Sequence, residues 1–158
     1  MAVLGTIDDA DEIRIRDMYL TDLDRIVEIE SRSFPTAWSR SAFQSELVEN
    51  TFATYLVLDF HGKVVAYGGM WLILDEAHVT NVAVHPDFRG HHLGETMMVG
   101  LMTRGKQLGA ARMTLEVRRG NDIAQNLYKK LGFVQLGVRR GYYTDTREDA
   151  FIMWKDPL

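Results

Sequence analysis

The chain has 158 residues, of which 46% are hydrophobic and 25% charged, with no Cys and a formal net charge of −4. This predicts one globular domain over residues 1–158, with an acidic leader at 1–11, and excludes disordered and collagen-like proteins. Without Cys there are no disulfides, thiolate zinc sites or cysteine nucleophile, as fits a cytoplasmic protein. No apolar run reaches the ~18 residues of a membrane span, and the acidic balance favours neither nucleic acid nor membrane as a partner.

The first third of the chain predicts one strand followed by two helices. Ile13 and Ile15 alternate with polar residues, with the period of two that is typical of a half-buried strand. Thr21 precedes apolar residues spaced three and four apart, which predicts an N-cap and an amphipathic helix that stops before Pro35. Ser39 is expected to cap a second, shorter helix.

A β-rich stretch and a long helix follow. Residues 54–60 and 64–74 are apolar, β-branched and aromatic, and a Gly lies between them, so they predict a hairpin. A third strand over residues 77–84 ends before Pro86, because proline cannot donate to a strand ladder. Apolar residues at helical spacing then predict a helix over residues 93–108.

Three further strands are predicted near the end of the chain. Residues 111–118 alternate, with apolar side chains on one face and Thr114 and Glu116 on the other. Strands over residues 133–138 and 149–154 close the chain. The complete order of elements predicts one mixed α/β sheet with helices on its faces.

A helix lies between the first two of these strands. Asn121 is expected to cap it, and Ile123, Leu127 and Leu131 form its predicted core stripe. Tyr128 then lies at the edge of that stripe, where a tyrosine can bury its ring while its hydroxyl faces a cleft.

The segment over residues 81–94 consists of a strand end, a short loop with Gly, Arg and His, and the start of a helix. The amides of a helix N-terminus bind anions, Arg89 adds positive charge, and Gly90 and Gly94 permit close approach to the main chain. The segment is neither a Walker A loop nor a dinucleotide-binding fingerprint. Phosphate binding and a plain connecting turn both remain open on this pattern alone.

This segment resembles the acetyl-CoA signature of the GNAT superfamily of N-acetyltransferases, Arg/Gln-x-x-Gly-x-Gly/Ala. The resemblance implies a mixed, mostly antiparallel sheet of about six to seven strands flanked by about four helices. It also implies that loop amides hold the pyrophosphate of acetyl-CoA and that the preceding strand edge pairs with the pantetheine arm. The residues implied are Val82, Ala83 and Val84 on the strand and Arg89, Gly90, His91, His92, Leu93, Gly94 and Glu95 in the loop.

His92 is a departure from that signature, because it stands where the family usually has Gly. Its side chain either weakens acetyl-CoA binding or, when protonated, adds a contact to phosphate.

A second set of motifs resembles the RimI-type branch of the superfamily, whose members acetylate the N-terminal α-amine of a small-subunit ribosomal protein. The resemblance covers residues 12–155 and implies a protein N-terminus, beginning with Ala, as the acceptor and acetyl-CoA as the cosubstrate. The segments that carry it are residues 33–39, 114–118, 126–133, 140–143 and 148–153.

Acetyl transfer to an amine needs a neutral nitrogen, and an α-amine with a pKa of ~7.7–8.0 is roughly 10–20% neutral at pH 7. The base therefore needs to give only modest help. The resemblance places a general base at Glu116, acting directly or through water, although a structural carboxylate paired with an Arg also explains this position. Tyr128 is the candidate general acid, or else a packing residue. Asn121 is a helix cap, an acetyl-CoA contact, or both.

Other residues complete the predicted site. Glu76 is an alternative base, and Trp38, Tyr142 and Tyr143 are expected to form walls of a peptide groove or to pack inside loops. No metal is expected, because the histidines around the loop lack ligand spacing. The open alternatives for function are acetylation of a small-molecule amine or a lysine side chain, and a catalytically weak CoA-binding module.

Overall fold

The computed structural model describes residues 13–158, so the leader predicted at residues 1–11 lies outside the described residues. Contacts divide the chain into two compact units. The first unit runs up to Met70 and includes Asn81–Leu101, and the second contains Trp71–Thr80 and Met102–Leu158. Neither unit is continuous in sequence, because the chain passes from one to the other three times.

Secondary structure follows the predicted order closely. Four helices are present within the described residues, α1 Leu23–Ser33, α2 Arg40–Val48, α3 Leu93–Gln107 and α4 Asp122–Lys130. Short 3-10 helices occur at Leu20–Asp22 and Pro86–Phe88. The strands are β1 Ile13–Asp17, β2 Ala53–Phe60, β3 Lys63–Ile73, β4 Glu76–Val84, β5 Arg112–Arg118, β6 Val134–Tyr143 and β7 Glu148–Lys155.

The seven strands of the described residues form one sheet in the order β1-β2-β3-β4-β5-β7-β6. β4 and β5 are parallel, whereas β1 with β2, β5 with β7 and β6 with β7 are antiparallel. The predicted mixed, mostly antiparallel sheet with about four helices is therefore confirmed. The helices of residues 13–158 lack the length and apolarity needed to cross a membrane.

The core of the first unit is built from the apolar face of α1. Leu23, Ile26 and Ile29 are buried at a spacing of three and pack in one cluster with Phe43 of α2. The Ser39 hydroxyl accepts a hydrogen bond from the Ala42 amide at 3.1 Å, which confirms the predicted cap.

The start of α1 differs from prediction. Residues 20–22 form a 3-10 turn, so the N-cap of α1 is Asp22 and not Thr21. The Asp22 carboxylate accepts hydrogen bonds from the Tyr19 amide and from Arg16, which fixes this turn.

In the second unit, β5 alternates as predicted. Met113, Leu115 and Val117 are buried, and Glu116 lies on the opposite face, paired in register with Ile152 of β7. β6 continues to Tyr143, five residues beyond its predicted end, because two irregularities in its register with β7 allow the strand to bend and go on.

The predicted core stripe of α4 is wrong at Ile123, which is 86% exposed. Gln125 is buried instead, and its Nε2 donates to the carbonyl oxygens of Arg118 and Arg119 at 3.0 and 2.9 Å. The buried face of α4 is thus turned about the helix axis by about one residue relative to the face that the apolar spacing predicts. This rotation brings Tyr128 from the edge of the covered face towards its middle.

Candidate active site

The first unit contains the loop of the predicted phosphate-binding segment, which follows directly after β4. Its first residue, His85, is buried, and its main-chain amide donates to the Val65 carbonyl at 2.8 Å. The His85 Nδ1 accepts from the Asp87 amide at 3.1 Å, so the ring proton resides on Nε2, which lies 3.1 Å from a Glu28 oxygen. These bonds fix the beginning of the loop to α1 and β3.

Arg89 braces the same loop from its side chain. The Arg89 Nε donates to the Val84 carbonyl and its Nη2 donates to the Ser33 hydroxyl, each at 3.1 Å. The guanidinium thus makes two hydrogen bonds within the first unit. Its contact with phosphate stays a prediction, and it would involve the N–H groups that do not take part in these two bonds.

The loop ends in two residues with left-handed backbone. Gly90 has φ +86°, with open space where a Cβ would stand, and His92 has φ +60°. The Thr96 amide donates to the His92 carbonyl at 3.1 Å and closes the first turn of α3. The amides of Leu93 and Gly94 precede that bond, so they belong to the group of N–H donors that a helix leaves without an intrahelical partner.

His92 stands in the backbone region that Gly adopts at least cost, which gives a physical reason why the superfamily signature has Gly here. The imidazole is exposed, and His91 beside it is half-buried. On β4, Ala83 is buried while Val82 and Val84 are half-buried.

The second unit contains the predicted base. The Glu116 side chain is 10% exposed, and its Oε2 lies 2.6 Å from the Nε2 of His78. Its Oε1 lies 3.5 Å from the Nε of Arg139. The carboxylate therefore has an arginine beside it, as the structural alternative expects, and also a histidine that the sequence analysis missed.

Strand pairing explains how His78 reaches Glu116. His78 pairs in register with Thr114 on the parallel strands β4 and β5, and Glu116 follows two residues later on the same face of β5. The available signal was the alternation of β4, in which Ala77 and Val79 are buried and His78 faces the other way.

Tyr142 and Tyr143 lie on β6, not in a loop, and are close enough to Glu116 for its negative charge to raise the pKa of both. Burial raises the pKa of Tyr142, and the negative charge of Glu116 raises it further. Burial also raises the pKa of Tyr143, whose ring lies 4.0 Å from the guanidinium carbon of Arg118. Arg118 is in turn paired with Asp145 at 2.9 Å, which fixes the turn after β6.

Tyr128 and Asn121 are both on or next to α4. The Asn121 side chain accepts from the Ala124 amide at 3.1 Å, which confirms the cap and leaves an acetyl-CoA contact as a prediction. Burial raises the pKa of Tyr128 to about 12, so its hydroxyl remains protonated at neutral pH. Tyr128 also contributes to the raised pKa of Tyr143, which indicates that the two phenols are neighbours.

Trp38 and Glu76 have other neighbours. The Trp38 ring packs against Phe43 with centroids 5.4 Å apart, and its amide donates to the buried Glu30 carboxylate at 2.9 Å. Glu76 is 47% exposed and lies 3.9 Å from Arg112. The structure thus groups Glu116, Tyr142 and Tyr143 in one cluster and places Glu76 beside Arg112.

Within residues 13–158, no group of three or more His, Cys, Asp or Glu is arranged to hold a metal ion.

Known proteins resemble the chain over nearly its whole length. The sequence profile of the Acetyltransferase (GNAT) family matches residues 23–133. A Bacillus subtilis protein, provisionally named a [ribosomal protein bS18]-alanine N-acetyltransferase, is 45% identical over 89% of this chain and 93% of its own. The Escherichia coli K12 protein of that name is 38% identical, over 88% and 94%. The crystal structure of the Escherichia coli ribosomal-protein-S18-alanine N-acetyltransferase has a TM-score of 0.84 at 35% identity, covering 92% and 94%.

Proposed function

The chain belongs to the Acetyltransferase (GNAT) family and is an N-acetyltransferase, and from this premise we propose that it transfers the acetyl group of acetyl-CoA to the α-amine of an N-terminal Ala. We propose ribosomal protein bS18 as the acceptor, because the similar proteins from Bacillus subtilis and Escherichia coli are named for that substrate. The observation that carries the α-amine proposal is the largely covered Glu116 carboxylate with His78 at 2.6 Å. Such a pair gives the modest base assistance that an α-amine needs.

The loop after β4 suits the anionic part of acetyl-CoA. Gly90 is left-handed with open space beside its Cα, so a phosphate can approach the main chain closely. The amides of Leu93 and Gly94 stand at the positive end of the α3 dipole. In this proposal the loop binds the pyrophosphate through main-chain groups, and Val82, Ala83 and Val84 offer the main chain of β4 to the pantetheine arm.

The reaction removes one proton from the amine and adds one proton to the CoA sulfur. The amine nitrogen forms a bond to the thioester carbonyl carbon, loses one proton to the basic centre at Glu116, and becomes an amide. The C–S bond breaks, and the CoA sulfur gains one proton to leave as a thiol. Direct attack needs no protein nucleophile, which is consistent with a chain that contains no Cys.

Tyr128 is the proposed source of the proton for sulfur. With a pKa of about 12 it is protonated but is a weak acid, and proton transfer to a free thiolate of pKa ~8.5 is uphill by about three orders of magnitude. Tyr128 therefore assists by hydrogen bonding to the sulfur as charge develops during C–S cleavage. The proton passes to sulfur along this hydrogen bond, and solvent then returns a proton to the tyrosine oxygen.

Peptides that differ only at the N-terminus test this function. The protein is mixed with acetyl-CoA and a peptide that begins with a free Ala, and thiol release is followed. We expect turnover that disappears when the same amine is blocked, and mass spectrometry of intact bS18 should show one added acetyl group on its N-terminal residue.

Two other results would contradict the proposal. Turnover restricted to polyamines or to lysine peptides with a blocked N-terminus would assign a different acceptor, whose amine at pKa ~10.4 is neutral in only about one molecule in 2,500 at pH 7. Thermal stabilisation by CoA without turnover of any amine would instead indicate a CoA-binding module.

A further inference from the structure

His78 lies beside the predicted base Glu116, and its imidazole is partly exposed to solvent. We infer that His78 is the catalytic residue that takes this proton, and that Glu116 is a positioning residue that acts through His78. The inference rests on the proposed function, and it assigns the basic centre to a particular atom, the Nδ1 of His78.

The hydrogen bond between the two side chains sets the state of the imidazole. The Nε2 of His78 lies 2.6 Å from a Glu116 carboxylate oxygen, a distance typical of a strong, charge-assisted hydrogen bond. An ionised carboxylate can only accept, so Nε2 carries the ring proton and donates it to this bond. In a neutral imidazole the lone pair then resides on Nδ1, which is the nitrogen available to the amine.

Exposure also favours His78 over Glu116 as the group that touches the substrate. The His78 side chain is 37% exposed, whereas that of Glu116 is 10% exposed. Both carboxylate oxygens already face donors, Oε2 the imidazole and Oε1 the Arg139 guanidinium at 3.5 Å. An incoming amine thus meets the imidazole with more freedom than it meets the carboxylate.

The surroundings of His78 hold the ring in place. The Trp71 ring makes an edge contact with the imidazole, with centroids 6.5 Å apart and planes at 83°. His78 and Thr114 form the last pair in the register of β4 with β5. The imidazole therefore projects from the point where the parallel pairing ends, on a strand whose other face is buried at Ala77 and Val79.

The proton balance follows from this geometry. As the amine nitrogen bonds to the thioester carbon, its N–H proton moves to Nδ1, directly or through one water, and His78 becomes an imidazolium. The Glu116 carboxylate stabilises that cation through the Nε2–H bond. The exposed ring then releases the proton to solvent and returns to its neutral form, ready for the next amine.

His78→Gln tests the inference, because a Gln amide can still donate to Glu116 but cannot take a proton. We expect kcat with the Ala-initiated peptide to fall about 100-fold, within the range for loss of a general base, while the KM for acetyl-CoA stays within about twofold. Added imidazole should raise the kcat of His78→Ala at least about tenfold, because the free base can enter the space left by the missing ring.

Two further variants serve as controls. His61→Asn changes the turn between β2 and β3, where the left-handed φ of +53° suits Asn, and should leave kcat unchanged. The kcat of the double variant His78→Gln with Glu116→Gln should be no more than about threefold below that of the less active single variant. The effects of residues that act as one unit are not additive.

Three results would overturn the inference. If the wild-type protein turns over the peptide and His78→Gln retains kcat within threefold, His78 does not take the proton, although the proposed function stands. A loss in His78→Ala that imidazole does not restore, or a raised KM for acetyl-CoA, would assign the histidine a structural role. A wild-type protein without turnover of any α-amine would remove the proposed function and this inference together.

Discussion

The two units use different parts of the polypeptide for their proposed roles. In the first unit, the loop after β4 presents main-chain amides, and the side chains of His85 and Arg89 are hydrogen-bonded to α1 and β4. In the second unit, side chains on β4, β5 and β6 meet around Glu116. Backbone geometry therefore determines the first function, and side-chain chemistry determines the second.

This difference has a kinetic consequence. Changes in the loop should alter the KM for acetyl-CoA with little effect on kcat, and changes around Glu116 should do the opposite. A loop substitution that lowered kcat, or a substitution around Glu116 that raised the KM for acetyl-CoA, would show that the two functions are not separable.

Glu116→Gln should give the largest effect. We expect kcat to fall by about 100-fold, as in His78→Gln, because the imidazole loses the charge that stabilises its protonated form. The KM for acetyl-CoA should remain within about twofold of wild type. Steady-state kinetics with the Ala-initiated peptide at neutral pH provide the measurement, and an unchanged kcat would exclude Glu116 from proton transfer.

Tyr128→Phe should have the next largest effect, a fall in kcat of about ten- to a hundredfold, because the leaving sulfur loses a hydrogen-bond donor. A thioester carrying a thiol of lower pKa should depend less on the hydroxyl, so the deficit should shrink with that substrate. If the deficit were equal for both thioesters, Tyr128 would not assist the leaving group.

The same variant tests the pKa of about 12. Because the folded-state pKa lies above the ordinary value of 10, Tyr128 contributes to stability fully below pH 10, and this contribution is lost as the pH rises through about 12. In Tyr128→Phe, the free energy of unfolding should therefore fall less steeply between pH 10 and pH 12 than in the wild type. In an alkaline absorbance titration, the variant should lack one tyrosinate signal that the wild type shows near pH 12. The signals near pH 10 should be the same in both proteins.

Gly90→Ala should have a moderate effect that is confined to cosubstrate binding. A Cβ at φ +86° costs about 1 kcal/mol, and the loop is expected to relax and misalign its amides, so the KM for acetyl-CoA should rise about three- to tenfold. Gly62→Ala is the matched control, because Gly62 has φ +84° and equally open space. Both variants should lose similar stability, and a KM that rose in both would point to a global cause.

His92→Gly should give the smallest effect. Relief of the left-handed strain at φ +60° should tighten CoA binding about two- to fivefold, measured by calorimetry. Weaker binding would contradict this expectation and would show that the imidazole contributes a contact to phosphate.

The sequence predicted most of the fold because its signals were local. The Ser39 cap, the alternation of β5 and the strand stop before Pro86 depend on short-range chemistry, and the structure confirms each of them. The errors occurred where a distant partner decides the outcome. Ile123 is exposed and Gln125 is buried, because the Gln125 amide donates to the carbonyls of Arg118 and Arg119 at the end of β5. Apolar periodicity cannot predict a polar side chain in that role.

The candidate site was predictable in part for the same reason. Glu116 and Tyr128 could be named from the resemblance of their segments, and His92 stood out as a departure from it. His78 could not be found in this way, because its pairing with Glu116 depends on the register of two strands separated by α3 in the sequence.

The buried amide of Gln125 has one further consequence. Its two hydrogen bonds join α4 to the end of β5, three residues before Tyr128 and a few residues after Glu116. We expect this link to couple the position of the proposed acid to that of the strand that carries the proposed base. One neutral side chain would then help to hold the two groups at a constant separation.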